Sequence, residues 1–326
     1  MSEEKCTHCE GECAEECDGN CENCSGNCES CEHSEGCSGD CESCGSSEGC
    51  SGDCNSCGSS CGGGCGSSAP PKKVELLSDS RIKKVIAVLS GKGGVGKSMV
   101  TSLLAVELAK TGYSVGILDS DITGPSIQKI FGAQGELYGD HEGIFPAETP
   151  LGIRAVSVNM MLPDAETPVL WRGPILGGII EQFYSEVHWG DLDYLLIDMP
   201  PGTGDVAMTV FQRLPVDEIV MVTTPSKLVS MVVAKAINMA EQVNVPIVGL
   251  VENMAYVKCD ECGHEIKIYN NDDTPYVAEK YGLEVVGKLP IDPVLANMAD
   301  EGTIEEYDGF LLDELVKKVA INGKEF

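Results

Sequence analysis

Val, Ile, Leu, Phe, Tyr and Trp are absent from residues 1–71 and then return in short, regularly spaced blocks. Residues 85–89, 114–118, 193–198, 218–225, 246–251 and 284–289 are near-continuous apolar runs, the pattern of strands buried on both faces. Helical windows lie between them: one around Leu103, Leu104, Val106, Leu108 and Ala109 that ends near Gly112, then 125–131, 175–187, 227–243 and 275–281. Two closing helices follow, the last with Leu311, Leu312, Leu315, Val316 and Val319 on one face. Residues 132–168 are less regular, with a strand at 153–158 and turns at Gly139 and Gly143. Alternation of strand and helix predicts an α/β fold with a mostly parallel, doubly wound sheet.

The connection after the first strand is Ser90-Gly91-Lys92-Gly93-Gly94-Val95-Gly96-Lys97-Ser98. It fits G-x-x-x-x-G-K-[ST], the P-loop, whose backbone N–H groups cradle nucleotide phosphates. Strand, glycine loop, helix is the order this motif requires. Gly91, Lys92, Gly93, Gly94, Val95, Gly96, Lys97, Ser98 and Met99 are therefore expected to bind ATP. Lys97 would reach the β- and γ-phosphates, and the Ser98 hydroxyl would ligate Mg²⁺. Lys92 comes too early to duplicate Lys97, so it is expected to reach phosphates across a two-fold dimer interface, as an arginine finger does in trans.

Two strands end in carboxylates where a parallel sheet forms its ligand crevice. Asp121, just past the second strand, is placed to orient a water for attack on the γ-phosphate, or else to cap the helix at 125–131. Asp198 closes the run Asp193-Tyr194-Leu195-Leu196-Ile197-Asp198, the Walker B pattern, and should hold Mg²⁺. Residues 199–205 have the Pro and Gly content of a loop that responds to the γ-phosphate. Asn253, beyond the strand at 246–251, is expected to bond the adenine edge. Trp171-Arg172-Gly173-Pro174 opens a helix, with Arg172 either near the phosphates or on the surface. Met221, Met231 and Met239 read as core gap-fillers.

Cys259 and Cys262 form a C-x2-C pair on a loop beyond a strand end. Two thiolates fill half of a tetrahedral zinc site or a four-iron cluster. A second copy across a two-fold axis would supply the rest, which agrees with the dimer inferred from Lys92. The alternatives are a zinc knuckle completed by His264 and a redox dithiol.

Composition divides the chain into 1–71 and 72–326. The first segment holds sixteen of the eighteen cysteines and fifteen Asp/Glu against one Lys, so it carries about half of the net charge of −30. Such a segment cannot bury enough apolar surface to offset its ordering entropy and is expected to be a disordered tail with a Gly/Ser/Pro linker at 62–71. Its C-x3-C-x2-C units, including near-identical copies at 34–46 and 47–59, suit a soft metal or a cluster; metal storage and plain low-complexity expansion are the alternatives. The acidity disfavours nucleic acid and anionic membranes. The charges of the last helix, Lys317 and Lys318 against Asp313 and Glu314, favour core packing over membrane binding. No signal peptide is legible, so a cytoplasmic, reducing location is expected, with thiolate ligands rather than disulfides.

The K-G-G-x-G-K-S form resembles the deviant Walker A ATPases. The series SGKGGVGKS, LDSDITGPS, WRGP, DYLLIDMPPGTGD, VENM and C-x2-C resembles the Mrp/ApbC group of iron–sulfur cluster carriers within them. The resemblance implies a slow ATPase that shares a labile [4Fe–4S] cluster between Cys259 and Cys262 of two subunits and passes it to apo iron–sulfur proteins. Asp260-Glu261 stands where that group usually has a Pro, and the tail lacks the ferredoxin-like spacing of its eukaryotic cytosolic members. Other members of the superfamily suggest two further functions: a MinD- or ParA-type positioning switch without a metal, and an electron-transfer ATPase.

Overall fold

The structure, a computed structural model, describes residues 72–121, 124, 126–133, 137–161, 173–259, 261–269 and 272–321. The cysteine-rich segment 1–71 with its expected metal sites, and Trp171-Arg172, lie outside the described residues.

In chain order the elements are β1 (Arg81–Ser90), α1 (Lys97–Lys110), β2 (Val115–Asp119), α2 (Ile127–Ile130), β3 (Tyr138–Gly139), β4 (Ile144–Phe145), β5 (Ala147–Glu148), β6 (Arg154–Ser157), α3 (Gly173–Ser185) and β7 (Asp191–Asp198). There follow α4 (Asp205–Arg213), β8 (Glu218–Thr223), α5 (Lys227–Gln242), β9 (Ile247–Lys258), β10 (Glu265–Ile266), α6 (Thr274–Tyr281), β11 (Val285–Pro290), α7 (Pro293–Glu301) and α8 (Asp313–Val319). The main sheet runs β5-β6-β2-β7-β1-β8-β9-β11, with β10 added antiparallel to the far end of β9. All pairings from β6 to β11 are parallel, as the apolar runs predict. Later strands insert beside β1 and then pass to its other side, so the chain reverses direction around the loop that follows β1.

Alternation along each strand feeds two cores. Val85, Ala87 and Leu89 pack with α3, α4, α5 and α6 on one face, while Ile86 and Val88 pack with α1, α2, α7 and α8 on the other. Trp189 is fully buried and donates its indole N–H to Phe183 O (3.1 Å), the partner a buried indole requires. In α8, Leu315, Val316 and Val319 are buried in the second core, as its charge pattern suggested. Truncating any of the fully buried Leu or Ile side chains to Ala should cost about 2–5 kcal/mol.

Two elements differ from expectation. The helix expected at 125–131 is a single turn starting at Ile127, and among the described residues the side chain reaching its first N–H is Asp119 (3.4 Å). The strand expected to stop at residue 251 runs on to Lys258. Its pairing with β8 ends at Glu252 and with β11 at Tyr256, and beyond that it pairs with β10 as a two-stranded ribbon. Val257 and its partner Ile266 suit a ribbon, because β-branched side chains fit a pleated surface without a covering layer.

Candidate functional site

The glycine loop leaves β1 and turns directly into α1, whose first residue is Lys97. Gly96 precedes it with φ +80°, a left-handed conformation that costs little only without a Cβ. A Cβ at Gly91 would sit 2.7 Å from the backbone carbon of Val232 in α5, so the loop lies flush on that helix. Ser90 O accepts from the N–H of Gly202 (2.8 Å), which ties the loop after β7 to the phosphate loop.

Lys97 is buried, with Nζ 2.7 Å from Asp198 Oδ2 and 3.7 Å from Asp121 Oδ2. At neither carboxylate does Nζ meet hydrogen-bond geometry, and it has no such partner among the described residues. Ser98 Oγ donates to Asp198 Oδ2 (2.6 Å) and Thr101 Oγ1 to Asp198 Oδ1 (2.7 Å). Asp198 is fully buried and is the register partner of Asp119 across β7 and β2. Burial, then the neighbouring Asp198 carboxylate, push Asp119 above the ordinary carboxylate range, while Lys97 pulls it back. Asp119 also accepts from the Asp121 N–H (3.1 Å) and from Ser157 Oγ (3.1 Å), so it fixes where Asp121 sits.

These residues fit the group that the motif implies. A buried ammonium lacking hydrogen bonds, beneath a loop with two left-handed glycines (Gly94 and Gly96), suits a bound phosphate. A hydroxyl and carboxylate oxygens suit a hard cation such as Mg²⁺. Of the residues expected to bind nucleotide, Val95 is buried, Ser98 and Met99 are half-buried, and Lys92 is exposed on the rim with Gly93 and Gly94. Asn253 is buried and donates from Nδ2 to Val95 O (2.9 Å). That donor therefore supports the loop from behind, where the sequence suggested a contact to the base. Thr101 and Asp119 were not singled out from the sequence. The signals were present: a hydroxyl one helical turn after Lys97, and the first carboxylate of Asp119-Ser120-Asp121 at a strand end.

Cys259 is half-buried and Cys262 is exposed. They lie in the turn between β9 and β10, where Cys259 N–H donates to His264 O (2.9 Å), Gly263 N–H donates to Cys259 O (2.8 Å), and Gly263 has φ +70°. The pair thus stands at the tip of an arm. Among the described residues no three His, Cys, Asp or Glu side chains come together as a metal site.

Fold and loop together define a P-loop NTPase of the parallel α/β type. A family profile described as ParA, NUBPL iron-transfer P-loop NTPase, matches residues 81–320, and the chain belongs to that family. An iron-sulfur cluster carrier protein of Clostridium perfringens is 46% identical over 253 residues, covering 75% of this chain and 88% of its own. The nucleotide-binding protein of Archaeoglobus fulgidus, solved in complex with ADP, aligns with a TM-score of 0.63 and 44% identity over 70% of this chain and 90% of its own. The cell division ATPase MinD of Pyrococcus furiosus shares the fold at 21% identity and a TM-score of 0.52, over 73% of this chain and 98% of its own.

Proposed function

We propose that this protein is an ATP-hydrolysing carrier that assembles a labile [4Fe–4S] cluster between two copies of the chain and passes it to apo iron–sulfur proteins. The observation that carries this reading is a single strand. β9 presses Asn253 against the phosphate loop and leads, six residues on, to Cys259, so one strand connects the loop to the thiols. Relatives named as iron–sulfur cluster carriers support the cargo, and a relative solved with ADP supports the nucleotide.

In this reading Lys97 and the backbone of 91–99 would hold the triphosphate, and Ser98 and Asp198 would hold Mg²⁺, which would supply charge neutralisation. Asp121 orients the attacking water, and Lys92 reaches the partner's nucleotide. Cys259 and Cys262 give two of four thiolates, and the partner subunit gives the other two. Exposure of Cys262 leaves the cargo open to an acceptor protein.

The test is anaerobic reconstitution of the full chain beside C259A/C262A. The double variant should lose about two irons and about two sulfides per chain relative to the parent, with ATP binding unchanged. Equal iron and sulfide in the two proteins would refute the cargo site.

A further inference from the structure

Tyr138 and Phe145 are register partners in the β3–β4 hairpin, and their rings stack with centroids 5.7 Å apart and planes at 24°. Phe145 stacks in turn on His188 (4.5 Å, 19°), whose Nδ1 lies 2.6 Å from Asp79 Oδ2. The inner end of this row is therefore fixed, while Phe145 is 40% exposed and Tyr138, at the outer end, 71%. Both rings line a cleft of about 290 Å³ with Phe131, Leu137, Ala147 and Glu148. Ala147 and Glu148 form β5, the last strand of the main sheet, and among the described residues no strand pairs with its outer edge.

The charge around the cleft has one sign. Residues 131–153 contain no Lys or Arg, and Asp140, Glu142 and Glu148 are all exposed. The one histidine of that span, His141, lies 3.7 Å from Glu142. The flanking cations are engaged elsewhere: Lys129 pairs with Asp300 (2.6 Å), and Arg154 donates to Trp189 O. Cross-strand stacking helps a hairpin to form. It does not call for an apolar cleft beside the rings, an unpaired sheet edge and a rim of carboxylates at the same place.

We propose that this cleft docks an extended, arginine-bearing segment of a partner protein. The main chain of the segment adds to the free edge of β5, the way a peptide joins an exposed sheet edge. Its apolar side chains fill the cleft, a guanidinium stacks on Tyr138, and the carboxylates of the rim neutralise it. Arginine suits the place better than lysine because its planar group both stacks on a ring and forks onto a carboxylate. Residues 1–71 of this chain lack the chemistry to be the occupant, having no Arg and none of the large apolar side chains. The inference is independent of the carrier reading, since no residue lining the cleft belongs to the phosphate loop or the cysteine pair.

The test is fluorescence anisotropy on the full chain, with a fluorescein-labelled heptapeptide, Gly-Val-Arg-Val-Arg-Val-Gly, as the probe. Because the whole chain is acidic, each cleft variant is compared with Y276A, which removes an exposed tyrosine of α6 outside the cleft. The parent and Y276A should bind the probe alike, and Y138A should bind it about fivefold to tenfold more weakly. E148Q should lose about threefold, and replacing both arginines of the probe by lysine should cost about as much as Y138A. ATP binding by Y138A should match the parent's, which shows that the variant is folded. Equal binding by Y138A and Y276A would overturn the proposal, since attraction would then come from net charge alone. A parent that does not bind the probe but dissociates on sedimentation when Tyr138 is removed would assign the face to a second copy of the chain, and would also overturn it.

Discussion

Asp119 and Asp198 end two neighbouring parallel strands in register, and both carboxylates are buried beside the Lys97 ammonium. The phosphate lysine thus has a second task, since it offsets negative charge under the loop. Removing it leaves buried carboxylates without a cation, which costs about 3–5 kcal/mol. Lys97→Met should lower the melting temperature of the nucleotide-free protein by about 10 °C, read by calorimetry, as well as abolish nucleotide binding. A stability equal to the parent's would contradict this second task.

Gly96 combines a left-handed backbone with the closest approach in the loop: an added Cβ would lie 2.1 Å from Asn253 Nδ2. Gly96→Ala should weaken ATP binding by about thirtyfold, the equivalent of about 2 kcal/mol of strain and displacement, with far-UV dichroism unchanged. Adding Asn253→Ala should recover part of that loss, and titration calorimetry on the two variants measures how much.

Glu107 lies in the middle of α1, buried, and accepts from the N–H groups of Leu311 (2.7 Å) and Leu312 (3.0 Å) at the start of α8. Burial raises its carboxyl to about 7, against the pull of those two N–H groups. For a raised carboxyl the stabilising contribution is complete below the unfolded value and is lost as pH rises through the folded one. The stability of the parent relative to Glu107→Gln should therefore fall by on the order of 2 kcal/mol between about pH 4.5 and about pH 7. Urea unfolding at a series of pH values reads this, and parallel curves for the two proteins would contradict it.

Lys92 is exposed at the rim and makes no ion pair among the described residues. If it serves the neighbouring subunit's nucleotide, Lys92→Ala should leave ATP affinity within about twofold and cut hydrolysis by about 10³-fold or more. Mixing Lys92→Ala with a hydrolysis-dead Asp121→Asn chain should restore part of the activity, since only one site of the mixed dimer is then doubly impaired.

Much of this architecture was legible because parallel strands buried on both faces announce themselves as unbroken apolar runs, and the loop after 85–89 carries glycines where only glycine fits. Asp121 and Asp198, the two carboxylates that follow strands, both lie within 4 Å of Lys97, because strand ends locate a crevice. Asp119 was less visible, because its significance depends on register with Asp198, and register is a tertiary fact. The full length of β9 was hidden by the loss of apolar periodicity after Val251, close to where its pairing with β8 ends. Asn253 was found, but its donor turned inward to Val95.

In the proposed function two chains share one cluster through Cys259 and Cys262. Native mass spectrometry of the anaerobically reconstituted full chain, compared with C259A/C262A, tests it most directly. The parent should run as a dimer that carries one [4Fe–4S] unit per two chains more than the double variant, with the variant monomeric under the same conditions. Equal metal content in both proteins, or a complete extra cluster on a single parent chain, would contradict it.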